Sequence, residues 1–241
     1  ADSGPKESAR PHMQVALIAA GLAFAGDLAF WHLSVIYTSV ANATLLSNLA
    51  PLFVTLAGWL WFAQRCSRGF LGAMAIAFCG VALLIGPDFN HGGSALWGDF
   101  LGLVTALFYG AYMLAVKHAR RTASTARVMA TSTSITAASL LVVALAGESR
   151  LVPEQTSGWW VLLALALVPQ VFGQSLIAYA MARLSASLSS VSLLIQPILA
   201  AGYASALLGE TLSALQLAGG AIVLAGIWLA RRADAATSGT T

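Results

Sequence analysis

The segment "TLLSNLAPLFVTLAGWLWFAQR" (Thr44–Arg65) carries a proline, Pro51, in the middle of a long run without a charged side chain. The segment "SVSLLIQPILAAGYASALLGE" (Ser190–Glu210) repeats this arrangement around Pro197. Proline removes a backbone donor and disrupts both a central strand and the interior of a helix. A chain that places proline twice in such runs therefore needs surroundings that tolerate a bent helix.

The composition identifies these surroundings as a lipid bilayer. The 241 residues are 59% hydrophobic and 9% charged, and the mean hydropathy is +0.81. About a quarter of the residues of a soluble domain are charged, so this chain lacks the polar residues that would cover a soluble surface. Most of its uncharged runs approach or exceed the roughly 20 residues that a spanning helix needs. The sequence predicts an all-α polytopic membrane protein, not a soluble helical core.

The distribution of positive charge fixes the number and orientation of the spans. We predict eight spanning helices, at residues 15–36, 40–63, 69–86, 97–116, 127–147, 158–182, 186–208 and 213–230. With residues 1–14 in the cytoplasm, eleven of the twelve Lys and Arg residues lie on the cytoplasmic side, and only Arg150 lies on the other. Since Lys and Arg favour cytoplasmic loops, this distribution supports eight spans and a cytoplasmic C-terminus.

An internal repeat explains why the proline recurs. A shift of 146 residues places Pro51 on Pro197 and Ser67 on Ser213 without a gap. In the predicted topology the matched loops lie on opposite sides of the membrane, so the repeat is inverted, an arrangement typical of secondary transporters. The helices at 97–147 would match positions before residue 1. We therefore expect two five-helix repeats, with the first two helices missing from this chain.

Three segments resemble the EamA-type transporters of the drug/metabolite transporter superfamily. They are "DLAFWHLSVIYTSVANATLLSNLAPLFV" (Asp27–Val54), "WGDFLGLVTALFYGAYMLAVK" (Trp97–Lys117) and "LLIQPILAAGYASALLGETLSALQLAGGAIVLAGI" (Leu193–Ile227). The last segment has the family's helix-breaking proline, the Gly-Glu pair at a helix end and the glycine-rich final helix. The first repeat departs from the pattern, with Ala63-Gln64 in place of Gly-Glu. The resemblance implies a ten-helix exporter of amino acids or related amphipathic metabolites.

The predicted organisation follows from the spans and from this resemblance. The parts are a cytoplasmic loop (1–14), the last three helices of a first repeat (15–86), an external loop (87–96), a complete second repeat (97–231) and a disordered cytoplasmic tail (232–241). The resemblance implies a location in the bacterial inner membrane and transport by alternating access.

Polar and aromatic stripes on five predicted helices indicate a shared substrate-binding cavity. The candidate residues are Asp27, Trp31, Asn48, Tyr109, Tyr112, Gln170, Gln174 and Gln196. Polar side chains also join membrane helices to one another, so a structural role stays open for each of them. Pro51 and Pro197 are predicted hinges, because proline frees the carbonyl groups of Ser47 and Leu193 and freed backbone is tolerated where it lines water.

Asp27 is the only carboxylate well inside a predicted span. Ionisable groups at membrane depth are costly and usually face a cavity or a partner. Two roles stay open for Asp27: a hydrogen bond to a neighbouring helix, or a place in the transport path. In the second role it is the residue that we expect to carry a proton, if transport is coupled to protons.

Other functional classes have less support in the sequence. The four histidines lie in different segments, and the two cysteines lack metal-ligand spacing, so we expect no metal, no cofactor and no enzymatic activity. The modest positive charge does not indicate nucleic-acid binding. The expected partners are a small-molecule substrate and the lipid bilayer, and glycine-rich helix faces leave a homodimer open. The alternative to transport is a non-transporting membrane assembly or receptor protein.

Overall fold

The computed structural model describes residues 10–38, 40–62, 67–85, 93–147, 151–199, 202 and 213–238. These residues are helical apart from short turns and contain no strand. By length and composition, five of the helices can cross a membrane, and three further apolar segments are shorter. The prediction of an all-α polytopic membrane protein is confirmed.

The helices follow one another along the chain as predicted, but several are interrupted. Their bounds are α1 (Arg10–Tyr37), α2 (Val40–Ser47), α3 (Ala50–Phe62), α4 (Arg68–Ile85), α5 (Gly93–Ala119), α6 (Thr125–Gly147), α7 (Thr156–Leu165), α8 (Gln174–Met181), α9 (Ala186–Ser192) and α10 (Ala214–Ser238). A π-helical segment (Ala166–Gly173) joins α7 to α8, and a 3-10 turn (Leu193–Ile195) follows α9.

Some helix ends differ from the prediction. Helix α1 begins at Arg10 and α10 continues to Ser238, so residues 10–14 and 232–238 are helical where a loop and a disordered tail were predicted. Helix α5 likewise begins at Gly93, inside the predicted external loop. Hydropathy marks only the part of a helix that lies in hydrocarbon, whereas the backbone hydrogen bonds can continue beyond it. The Gly-Glu pair at Glu210 lies outside the described residues.

The chain forms two compact units. In the described part of the chain, unit 1 contains residues 10–29 and 111–184, and unit 2 contains residues 30–110 and 185–238. Helices α1 and α5 therefore each contribute residues to both units.

In unit 1 a glycine allows α6 to pack closely against α1. A Cβ atom at Gly21 would lie 2.6 Å from the Cβ of Ile135, so only glycine fits there. The hydroxyl of Thr136 donates to the carbonyl oxygen of Gly21 at 2.8 Å. Small residues and interhelical hydroxyl bonds hold helices together in lipid, where water supplies no hydrophobic drive.

In unit 2 the corresponding close contact joins α4 to α10. A Cβ atom at Gly80 would lie 2.6 Å from the backbone nitrogen of Val223, and one at Gly226 would lie 2.6 Å from that of Ala77. At the other end of the contact, Gly69 faces Ala233. Residue numbers thus rise along α4 as they fall along α10, so the two helices are antiparallel.

The 146-residue shift exchanges the partners of this contact. It carries Gly80 to Gly226 and Ala77 to Val223. Gly80 lies against Val223, and Gly226 lies against Ala77. The shift therefore exchanges the two contacts with each other. A two-fold relation between two surfaces produces reciprocal contacts of this kind. Because α4 and α10 are antiparallel, these contacts fit the inverted repeat, which stays a prediction for the five-helix repeats as a whole.

The start of each helix is also alike in the two halves. The Ser67 hydroxyl accepts a hydrogen bond from the backbone nitrogen of Phe70 at 3.1 Å. The Ser213 hydroxyl accepts one from that of Gln216 at 3.2 Å. A serine at this position satisfies one of the free N–H groups at a helix start. The repeat aligned by sequence therefore has the same N-cap in both copies.

Both proline-containing helices are interrupted at matching positions. Helix α2 ends at Ser47 and α3 begins at Ala50, directly before Pro51. Helix α9 ends at Ser192, and after the 3-10 turn the chain is helical again at residues 196–199. The expectation that Leu193 has a free carbonyl was wrong, because the backbone nitrogen of Gln196 donates to it. The tighter turn satisfies the group that Pro197 would otherwise leave unpaired.

Candidate functional site

The helix predicted at 158–182 has a π-helical segment at its centre. This segment, Ala166–Gly173, contains Pro169, and the backbone nitrogen of Gln174 donates to the Pro169 carbonyl five residues earlier. Proline has no N–H for the ordinary helical bond, and the wider turn takes up the mismatch. π-Helical turns within α-helices are frequent at functional sites. The segment also carries Gln170 and ends next to Gln174, two of the predicted site residues.

The two glutamines make different hydrogen bonds within unit 1. The amide nitrogen of Gln170 donates to the hydroxyl of Thr133 on α6 at 3.3 Å. The amide oxygen of Gln174 instead accepts from the hydroxyl of Tyr112 on α5 at 3.2 Å. Gln170 therefore keeps a free amide oxygen, and Gln174 keeps a free amide nitrogen, among the contacts that the described residues make.

Tyr112 is the centre of a cluster that we call the Tyr112 cluster, formed by Phe24, Asp27, Tyr112 and Gln174. The ring of Phe24 stacks on that of Tyr112, with centroids 4.6 Å apart. Asp27 lies one turn beyond Phe24 on the same face of α1. Tyr112 is only 1% exposed, whereas Asp27 and Gln174 are both partly exposed. Phe24 and Gln174 therefore hold the Tyr112 side chain in place, and its contact with substrate stays a prediction.

The Asp27 carboxylate has no hydrogen-bond or ion-pair partner within the part of the chain that the structure describes. A charged group at membrane depth costs a few kcal/mol on insertion scales, about 3 kcal/mol at a helix centre, and is normally paired. The structural alternative, a hydrogen bond from Asp27 to a neighbouring helix, is thus not observed among these residues.

The other predicted site residues lie in unit 2. Asn48 uses its amide nitrogen on its own helix, donating to the Thr44 carbonyl at 2.9 Å. Trp31 and Tyr109 are partly buried, and Gln196 is exposed. Asn48 therefore stabilises the end of α2 next to the interruption before Pro51. One cavity shared by all eight predicted residues stays a prediction.

Two cations of α5 and the turn after it bind the C-terminal end of α8. The Lys117 ammonium group donates to the carbonyl of Met181 at 2.7 Å and also to that of Leu184. The Arg120 guanidinium donates to the Ala178 carbonyl at 3.1 Å. The last carbonyls of a helix lack intrahelical partners and carry partial negative charge, so cations are favourable there. With the Tyr112–Gln174 bond, these contacts attach α8 to α5 at both ends.

Loss of the Lys117 contacts at the C-terminal end of α8 should lower the thermal stability of unit 1. Lys117→Met keeps the aliphatic stem and removes all three donors. We expect a melting temperature roughly 2–8 °C lower, since hydrogen bonds to charged groups contribute about 1–3 kcal/mol. Thermal unfolding in detergent measures this, and Arg121→Met is the control, because Arg121 is exposed on the same turn. Equal melting temperatures for the two variants would contradict the attachment.

Sequence reasoning missed several members of this arrangement. Phe24 contacts Tyr112, and Thr133 contacts Gln170. Lys117 binds the end of α8, the helix that begins at Gln174. None of these three residues was predicted. Phe24 had a usable signal, because it lies one turn before Asp27 on the same helix. Pro169 had another, since it interrupts an otherwise helical apolar run. Thr133 had none, because the sequence does not specify which helix packs against Gln170.

Comparison with known proteins gives consistent results. The sequence profile described as "EamA-like transporter family" matches residues 3–86 and 96–232. A "probable amino-acid metabolite efflux pump" of Salmonella typhimurium is 28% identical, with 92% of this chain and 78% of that protein covered. The "pseudopaline exporter CntI" of Pseudomonas aeruginosa is 25% identical, with 86% and 72% covered.

A further relative and a solved structure agree with this. An "uncharacterized transporter" of Archaeoglobus fulgidus is 28% identical, with 81% of this chain and 68% of that protein covered. A crystal structure superposes with a TM-score of 0.78 at 20% identity, covering 91% of this chain and 77% of the other. At that identity the superposition supports the fold alone.

Proposed function

The chain belongs to the EamA-like transporter family, and on this premise we propose that it exports amino acids or related amphipathic metabolites across the bacterial inner membrane. Family membership indicates a multi-pass membrane protein that transports small metabolites rather than an enzyme. The direction, the substrate class and the compartment are the proposal. They are supported by relatives named as exporters of pseudopaline and of amino-acid metabolites.

The observation that carries the proposal is the Tyr112 cluster. Among the described residues of unit 1, it contains a carboxylate without a hydrogen-bond or ion-pair partner and a glutamine whose amide nitrogen has no acceptor. Polar residues that only join helices should use their hydrogen-bonding capacity on those helices. Asp27 and Gln174 retain capacity, as a binding site for a polar substrate requires.

We assign the site residues on the same basis. Within unit 1, Asp27, Gln170 and Gln174 are proposed to contact substrate. Trp31 and Tyr109 lie in unit 2 and keep the role predicted for them from the sequence. Tyr112 is proposed to hold Gln174 in place, and Asn48 and Gln196 are the weaker candidates of the predicted set, the first because its amide is bonded to its own helix.

Alternating access is the proposed mechanism. The reciprocal, antiparallel contact of α4 with α10 supports an inverted relation of the two halves, which lets a transporter present one site to either side in turn. The matching interruptions before Pro51 and Pro197 are proposed hinges, because fewer helical bonds there resist bending. The distribution of Lys and Arg supports a cytoplasmic C-terminus.

Transport by the purified full-length protein tests the proposal. Proteoliposomes should take up or release members of a metabolite panel, with and without a pH gradient. Gln174→Ala should lower the transport rate about fivefold or more with little change in expression, because a substrate hydrogen bond contributes on the order of 1 kcal/mol or more. The control Gln155→Ala changes an exposed glutamine before α7 and should transport normally.

The outcomes separate the alternatives. A non-transporting assembly or receptor protein would move no metabolite of the panel under either condition. Equal loss of expression and transport in Gln174→Ala would assign Gln174 to helix packing instead.

A further inference from the structure

Two arginines at helix ends lie over aromatic rings in the same way. The guanidinium carbon of Arg183, in the turn after α8, is 4.0 Å from the centre of the Tyr179 ring. That of Arg232 on α10 is 4.0 Å from the centre of the Trp228 ring. In both pairs the ring precedes the arginine by four residues, the spacing that brings side chains together on one helix face. The same arrangement therefore occurs independently in unit 1 and in unit 2.

The two rings mark where the helices leave the hydrocarbon. Tyr179 is 50% exposed and Trp228 is 53% exposed, and each lies near the C-terminal end of a candidate membrane span. Leu176 and Leu224 lie about one turn before the rings on the same helix faces and are exposed as well. Tyr and Trp residues in such positions sit at the level of the lipid headgroups. Each ring therefore places its arginine beside the headgroups, with an apolar face leading into the lipid.

Stacking uses the faces of the two guanidinium groups and leaves their edges available. A guanidinium group has five N–H donors in its plane. Within the described part of the chain, neither Arg183 nor Arg232 donates a hydrogen bond or forms an ion pair. Lys117 and Arg120, by contrast, donate to carbonyl groups near the end of α8. The stacked arginines are thus oriented cations whose donors are unused among these residues.

A phospholipid phosphate matches this arrangement. Arginine donates to phosphate through two parallel N–H···O bonds, and the headgroups of a bilayer lie at the depth that interfacial aromatic residues mark. In the proposed topology both helices end on the cytoplasmic side, where Lys and Arg attract anionic headgroups. A zwitterionic headgroup carries a cation of its own, which competes with arginine for the phosphate. The arrangement therefore favours a lipid with a net negative charge.

We propose that the Arg183–Tyr179 and Arg232–Trp228 pairs each bind the phosphate of an anionic phospholipid. The ring fixes the plane of the guanidinium group, and the edge of that group donates to the phosphate oxygens. The acyl chains lie along the apolar helix faces that precede the rings. Lipid binding of this kind is independent of which metabolite the protein transports.

Native mass spectrometry of the purified full chain in detergent tests the proposal. Two lipids with identical acyl chains are added, phosphatidylglycerol as the anionic probe and phosphatidylcholine as the zwitterionic one. The wild type should bind two molecules of phosphatidylglycerol at least about tenfold more tightly than phosphatidylcholine, because only the anionic lipid offers a phosphate without a competing cation.

Substitutions should remove the two sites one at a time. Arg183→Gln and Arg232→Gln should each abolish one tight site, and the double variant should abolish both. Tyr179→Leu keeps the charge but removes the ring, and it should weaken one site roughly two- to fivefold, as expected for loss of an exposed cation–π contact. Arg127→Gln is the matched control, because Arg127 is an exposed cation without an aromatic contact among the described residues. It should keep both sites.

Three results would overturn the proposal. One is equal affinity of the wild type for the two lipids. Another is a loss of phosphatidylglycerol binding in Arg127→Gln as large as in the other arginine variants, which would show attraction to overall positive charge. The third is displacement of the bound lipid by equimolar sn-glycerol 3-phosphate, which would assign the pairs to a soluble phosphate compound.

Melting temperatures without added lipid identify any variant that fails to fold. Arg183→Lys and Arg232→Lys provide the same test in that case, because lysine keeps the charge but lacks the planar edge that donates twice to one phosphate. Both should bind phosphatidylglycerol more weakly than the wild type, and wild-type affinity in both would contradict the proposal.

Discussion

Gly80→Ala is expected to cause a large loss of stability in unit 2. The added Cβ atom would lie 2.6 Å from the Val223 backbone nitrogen and 2.8 Å from the Gly219 carbonyl oxygen. Backbone atoms cannot rotate away as the end of a side chain can, so α4 and α10 must separate. Overpacking typically costs about 1–3 kcal/mol, and separation also forfeits the close packing that holds helices together in lipid.

Gly226→Ala should have a similar effect, because its Cβ atom would lie 2.6 Å from the Ala77 backbone nitrogen. Gly72→Ala is the matched control on α4, since no atom lies within 4 Å of its added Cβ. Thermal unfolding and the monodisperse fraction after detergent extraction measure all three. Both close-contact variants should melt roughly 2–10 °C below the wild type, and Gly72→Ala should not. A normal melting temperature for Gly80→Ala would show that the contact is looser than described here.

The fold was largely predictable because it depends on long-range averages of the sequence. Three features carried the prediction: the lack of charge, the length of the apolar runs and the placement of Lys and Arg. Each is an average over many residues, so an exception at one residue does not change it. Pro51 and Pro197 were predictable individually, because proline has the same local effect in any surroundings. Their interruptions occur at the positions that the 146-residue shift matches.

The site was less predictable because it depends on which helices touch. Tyr112 and Gln174 belonged to separate predicted stripes, and nothing in the sequence specified the hydrogen bond between them. It also placed Tyr112 among the substrate contacts, which stays a prediction, but it did not indicate that the Tyr112 ring is buried against Phe24. Lys117 counted only as a cytoplasmic charge, although it binds the end of α8. Such contacts follow from packing, which no periodicity encodes.

Asp27→Asn is expected to abolish the part of transport that a pH gradient drives. We propose that Asp27 carries the proton in a coupled cycle, because it is a carboxylate inside a predicted span and lacks a partner among the described residues. A carboxyl group that is hydrated on one side and buried in transit can bind a proton on that side and release it on the other. Asparagine keeps the shape and hydrogen bonds with ligands but cannot titrate.

The informative quantity is the ratio of transport rates with and without the pH gradient, measured in proteoliposomes at equal substrate concentration. Weaker substrate binding in Asp27→Asn lowers both rates and leaves their ratio unchanged. Loss of proton coupling instead brings the ratio to about one. The same experiment therefore distinguishes the two roles of Asp27. Asp27→Glu restores a titrating group and should restore a ratio above one. Asp99→Asn is the control, since Asp99 lies near the start of α5 and accepts from Thr38 at 2.8 Å. A ratio in Asp27→Asn equal to that of the wild type would remove Asp27 from the coupling mechanism.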